Sequence, residues 1–173
     1  MDTRSHEPPP PPPPGGGGIP PGIGRVPRHS GNSGLKLVTL NLPVGTEGNG
    51  HMVDISADVS RLLKSTGMTE GNVTIFVPGS TASITTIEYE PGLQKDLPEA
   101  MERLAPQEGE YQHDKTWHDG NGHSHVRASV VGPSMVVPFA QGHLLTGTWQ
   151  QIVLVDWDNR ARRREVILQF IGE

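Results

Sequence analysis

The chain has 173 residues, eight His, no Cys and a formal net charge of −5. Without Cys there is no disulfide framework, no thiolate metal ligand and no Cys nucleophile. Residues 34–173 carry 11 Lys and Arg against 17 Asp and Glu, a net of −6. That balance argues against a nucleic-acid binder, whose affinity rests on neutralising phosphates.

Residues 1–33 contain "EPPPPPPPGGGGIPPGIG", a proline run followed by a glycine run. Such a stretch buries too little apolar surface to offset the entropy of ordering it, so a disordered tail is expected. It holds no apolar core of a secretory signal. No window approaches the roughly twenty apolar residues of a bilayer span, so no membrane association and a cytoplasmic location are expected. The remaining residues, 34–173, are long enough for one domain with a real core.

In chain order, "LKLVTLNLP" alternates as a strand over 35–43, and "HMVDI" is a short second strand after the turn "GTEGNG". "SADVSRLLKSTG" changes to helical spacing, with Ile55, Val59, Leu62 and Leu63 on one stripe. Ser56 is its candidate cap, and Gly67 its left-handed end. "NVTIFVP" and "ASITTIEY" read as strands, and "DLPEAMERLAP" as a second helix capped by Asp96. After a polar stretch, "HVRASVVG", "SMVVP", "HLLTG", "WQQIVLVDWD" and "EVILQFIG" read as strands of an antiparallel meander. The expected class is α+β: one large, mostly antiparallel sheet system with two helices on one face.

The residues that carry chemistry lie in "YQHD" and "HDGNGHSHVR". Read as a strand, "HSHVR" puts His123, His125 and Arg127 on one face, and a His-x-His pair is a two-point metal grip. Neutral imidazole suits zinc; His113 is the natural third ligand, and Asp114 a candidate to orient an imidazole. Glu88 ends an apolar strand, where a carboxylate acts as a base or forms an ion pair. Gln150 can hydrogen-bond a ligand or a neighbouring strand, and Trp149 is a large apolar anchor. The basic run Arg160 to Arg164 reads as a solvated hairpin tip.

Taken together, "STASITTIE", Tyr111-x-His113-Asp114, Ser124-His125, Gly132-x-Ser134 with Pro138, and Gly142 followed by "GTWQ" resemble the YjbQ-like family. Glu88 and Asp96 fit the same pattern. The resemblance implies a compact α+β fold assembling as a homotrimer. It also implies a thiamine-phosphate synthase activity, joining a pyrimidine pyrophosphate to a thiazole phosphate, secondary to another role. Relatives often carry a His where this chain has Gly79, which puts His123 forward as a replacement ligand. In that reaction Arg127 would bind an anionic group, and the "PGST" backbone with Ser80 and Thr81 would form a second anion nest. A divalent ion, zinc or magnesium, would help the leaving pyrophosphate. His113, His125, Glu88 and Gln150 are the catalytic candidates, and a small phosphorylated molecule is the expected partner. The rival readings are a metal-dependent hydrolase of a small phosphorylated or acyl substrate, and a non-catalytic trimeric ligand- or metal-binding protein.

Overall fold

The computed structural model describes residues 34–173. The proline- and glycine-rich tail lies outside the described residues. In chain order the elements are β1 (Lys36–Thr46), β2 (His51–Asp54), α1 (Ser56–Thr66), β3 (Gly71–Phe76), β4 (Ala82–Ile87), α2 (Leu93–Leu104), α3 (Gln112–Trp117), α4 (Gly122–Val131), β5 (Ser134–Ala140), β6 (His143–Leu144), β7 (Gln151–Asp156) and β8 (Arg162–Gly172).

The class is α+β and the pairing antiparallel, as the alternation implies. The strands divide, however, into two sheets, ordered β1-β8-β3-β5-β6 and β2-β7-β4. The central strand of the smaller sheet explains why. From Ile152 to Asp158 every residue of β7 and its end is buried. Ile152 and Leu154 enter a core between the sheets, with Val73, Ile75, Phe139, Leu168 and Phe170. Val153, Val155 and Trp157 point the other way, into a second core with Leu97 and Met101 of α2 and Ala128 of α4. The unbroken apolar run in "IVLVDW" is the mark of a strand covered on both faces. Trp157 is wholly buried, and its indole N–H donates to Ser83 Oγ at 3.0 Å. Truncating an indole in such a place costs on the order of 3–5 kcal/mol.

The two helices read from periodicity are present, with different starts. α1 buries Val59 and Leu63 and ends at Gly67 with φ 68°. Its first N–H, on Ser56, donates to Asp54 Oδ1 at 2.8 Å, while the Ser56 hydroxyl accepts from the Ile152 N–H at 2.8 Å. α2 begins at Leu93, so Asp96 sits within the first turn and is not the cap. The Glu90 carboxylate caps instead, accepting the N–H of Gly92 at 2.7 Å and that of Leu93.

The largest departure is "HVRASVVG", which is helix α4 and not a strand. Its valines favour a strand locally, but Val126 and Val130 are exposed. What it buries is a helical stripe: His123, Ser124, Arg127 and Ala128. Small residues at positions 124 and 128 let the helix lie close on the smaller sheet. Ser124 Oγ donates to the Trp157 carbonyl at 2.6 Å, and Ser83 Oγ to the Ala128 carbonyl at 3.3 Å. Tertiary packing overrides propensity here.

Candidate functional site

The histidine-rich stretch folds as α3, a turn, and α4, so that one edge of the molecule carries both His113 and His125. α3 ends at His118 in a left-handed conformation, φ 56°. Asp114 joins the helices: its Oδ1 accepts the Gly122 N–H at 2.9 Å. Only glycine fits at 122, because a Cβ there would lie 2.4 Å from Tyr111 Cβ. Asn159 Nδ2 donates to the Asp119 carbonyl at 2.9 Å, which ties the intervening turn to the β7–β8 connection.

The rings of His113 and His125 lie 4.3 Å apart, centroid to centroid, tilted by 51°. His113 Nε2 is screened from solvent and has no hydrogen-bond partner among the described residues. It lies 3.3 Å from Asp119 Oδ1, at ion-pair distance but without hydrogen-bond alignment. One ligand atom each of His113, Asp114 and Asp119 falls within 4.8 Å of the others. Burial is the main reason the His125 imidazole sits below its ordinary pKa, and His113 beside it adds to the effect. Asp119, the Ser80 carbonyl against the ring, and Asp158 pull the other way. The neutral, ligating form is therefore favoured.

The helix undoes the premise that His123, His125 and Arg127 share a face. Residues two apart on a helix point about 200° apart. His123 is turned inward and is 1% exposed, its ring 6.3 Å from that of Tyr111. Its Nε2 lies 3.2 Å from Ser124 Oγ, and its Nδ1 has no hydrogen-bond partner among the described residues. It does not replace the missing ligand beside His125. Arg127 is also enclosed, at 4% exposure. Its Nε and Nη2 donate to the Ala105 carbonyl at 3.0 and 2.8 Å, and Nη2 pairs with Glu102. It ties α4 to the C-terminal end of α2, where a cation also complements the helix dipole. Its Nε and Nη2 donors are thus spent on α2, not held open toward the imidazole pair as the strand reading of Arg127 had it.

The other candidates divide. Ser80 is exposed and touches the site through its carbonyl. Thr81 is buried; its hydroxyl donates to Asp158 Oδ2 at 2.9 Å and accepts from Arg164 Nη2 at 2.8 Å. Glu88 and Gln150 lie at the opposite end of β4, exposed to solvent. At about 3.3 Å per residue, that strand separates them from Ser80 by roughly 20 Å. Gln150 holds its own turn, accepting the Gly147 N–H at 3.1 Å and donating to Thr86 Oγ1 at 3.3 Å. Within one chain they do not meet His113 and His125.

Sequence reasoning passed over Asp119 and a charged network behind Ser80. Arg164 grips Asp156 with two bonds, Nε to Oδ2 at 2.7 Å and Nη2 to Oδ1 at 2.6 Å. Arg162 reaches Asp158 Oδ2 at 2.8 and 2.9 Å. The signal was in "DWDNRARRR": the acids are two apart, and so are the inward arginines. Arg160 and Arg163 are exposed, but Arg162 and Arg164 are not, and the run is no hairpin tip: β7 and β8 lie in different sheets, and Arg162 already begins β8.

Two stacked antiparallel sheets, α1 packed into the core between them, α2 and α4 on the outer face of the smaller one, and an imidazole pair at the edge define the class of protein. The chain belongs to the UPF0047, YjbQ-like family, whose match runs over residues 41–173. Its relatives include a UPF0047 protein of Archaeoglobus fulgidus, 34% identical over 74% of this chain and 98% of that protein. Another is UPF0047 protein YugU of Bacillus subtilis, 33% identical over 76% of this chain and 97% of that one. Among solved structures, a YbjQ-like protein of unknown function from Sulfolobus solfataricus superposes with a TM-score of 0.76 at 31% identity. That match covers 80% of this chain and 99% of the other. A hypothetical protein from Aeropyrum pernix follows with a TM-score of 0.73 at 33% identity, covering 78% and 98%. Among the described residues no helix is long and apolar enough to cross a membrane.

Proposed function

We propose that this chain holds a divalent metal ion at His113, His125 and Asp119 and acts there on a small phosphorylated molecule. The finer reading is the thiamine-phosphate synthase-type condensation implied by the family resemblance. The observation that carries the metal is His113 Nε2, buried without a hydrogen-bond partner among the described residues and 3.3 Å from Asp119 Oδ1, in a group whose His113, Asp114 and Asp119 ligand atoms lie within 4.8 Å of one another; the His125 ring stands alongside and ligates once it turns toward that group. An imidazole nitrogen left unpaired away from water is costly unless something binds it. Two imidazoles and a carboxylate suit zinc better than magnesium.

When bound, the ion would supply charge stabilisation to a departing phosphoryl oxygen. The chain's own residues do the rest. Burial keeps His125 neutral and able to ligate. Asp114 fixes the start of α4, and with it the His125 backbone, through the Gly122 N–H. In the condensation a C–O bond to pyrophosphate breaks as a C–N bond to the thiazole forms, and pyrophosphate leaves with the electron pair. Glu88 and Gln150 join this site only if a neighbouring copy brings them, which fits the homotrimer that the resemblance implies. The open side of the site, where Gly79, Ser80 and Asp119 are exposed, admits water. It favours hydrolysis of a small phosphate ester as the second reading.

Zinc titration by calorimetry, together with a condensation assay on the two precursors, tests both levels. One bound zinc per chain is expected, weakened about a hundredfold or more in His125→Ala with the far-ultraviolet spectrum unchanged. Product formation should fall with it. Zinc binding unaffected by His125→Ala and by His113→Ala would sink the metal assignment. Zinc binding with no condensation, but with ester hydrolysis, would replace the first reading by the second.

A further inference from the structure

We propose that Arg164 Nη1 and the Gly79–Ser80 turn form a seat for the phosphate group of a phosphate ester. The inference rests on the phosphorylated substrate proposed above, whose charge is unmatched once Arg127 is committed to α2. Four observations lead to it. The Nε and Nη2 donors of Arg164 are occupied by Asp156 and Thr81, whereas Nη1 has no partner among the described residues. Nη1 lies 3.4 Å from where a Cβ at position 79 would stand. Gly79 has φ +113°, a conformation side-chain-bearing residues rarely adopt, so the backbone leaves that nitrogen uncovered. Finally, Ser80 lies against His125 through its carbonyl, so the seat borders the imidazole pair by one residue.

The guanidinium is already ordered by its bidentate grip on Asp156, so an incoming oxygen meets a fixed N–H without further ordering cost. The exposed Ser80 hydroxyl is a second donor on the same turn. Asp156 and Asp158 offset the charges of Arg164 and Arg162, so attraction at a distance is small. Direction, not net charge, supplies the preference for a phosphate oxygen. Such a seat positions a substrate held elsewhere and binds a lone phosphate ester at about millimolar strength.

The test is a ³¹P NMR titration of the full chain with phenyl phosphate in the presence of EDTA, set against inorganic phosphate and, by ¹³C NMR, acetate. Wild type should bind phenyl phosphate more tightly than either comparison ion. Arg164→Lys should weaken it by about tenfold or more. Arg162→Lys belongs to the same carboxylate network but does not come within 4 Å of the Cβ position at Gly79. It should change binding by less than about twofold. Gly79→Asp sets a carboxylate against Nη1 and should abolish binding; it decides the matter should Arg164→Lys not fold. Wild-type affinity in folded Gly79→Asp, equal weakening by both lysine variants, or acetate or inorganic phosphate bound as tightly as the ester, would overturn the assignment. With EDTA present, failure of the metal site leaves these results unchanged. Loss of the phosphate seat in turn leaves zinc binding at His113 and His125 intact.

Discussion

His123 and His125 are separated by one residue and occupy opposite environments. His125 stands at the open edge with His113, while His123 is packed inside against Tyr111 and Arg127. Both are held below the ordinary imidazole value of 6.5, in each case chiefly by burial. The unfolded chain therefore binds more protons than the folded one between the lowered values and 6.5. Their contribution to stability is present above about pH 6.5 and is lost as pH falls toward the folded values. Denaturant midpoints should decline from about pH 7 to about pH 5, and His123→Gln should flatten that decline. A midpoint independent of pH over this range would contradict the buried neutral imidazoles. Zinc retention should fall in the same direction, because protons compete for the ligands.

At the level of elements, α3 and α4 make the site by meeting at Gly122. A methyl group there has nowhere to go, with Tyr111 Cβ and Cγ 2.4 and 2.7 Å from its position. Gly122→Ala should cost about 1–3 kcal/mol and weaken zinc binding by separating the helices. A thermal melt unchanged by this substitution would show that the junction relaxes freely. The strands and the first two helices were legible because their periods are those of their burial: Val73, Ile75 and Val77 alternate, and Val59 and Leu63 recur one turn apart. α4 was not legible. Its exposed valines mimic a strand, while what it buries is polar or small: His123, Ser124, Arg127 and Ala128. A hydrophobic pattern carries no trace of a helix held by hydroxyl bonds to a sheet and by an arginine on a distant carbonyl.

For the molecule as a whole, the outer face of the larger sheet leaves four large apolar side chains exposed among the described residues. Leu37, Phe76, Val136 and Ile171 share that face, with exposures of 45%, 38%, 59% and 41%. Asn72, Thr74 and Gln169 stand between them, and a mixed face of this kind is where the homotrimer implied by the resemblance would pack. Light scattering should report three copies in wild type and one in Val136→Glu, with the variant's zinc affinity retained and any turnover that needs Glu88 or Gln150 lost. A monomeric wild type would remove those two residues from the site. The sequence by itself determined the α+β class, the two amphipathic elements and the segment in which the imidazoles lie, because each depends on the spacing of residues near one another in the chain. Only the tertiary structure decided that His113 faces His125 and not His123, that Arg127 braces a helix, and that Arg164 turns a free donor toward Gly79. Those outcomes are set by which surfaces pack together across 12 to 85 residues of chain, and no local period encodes them.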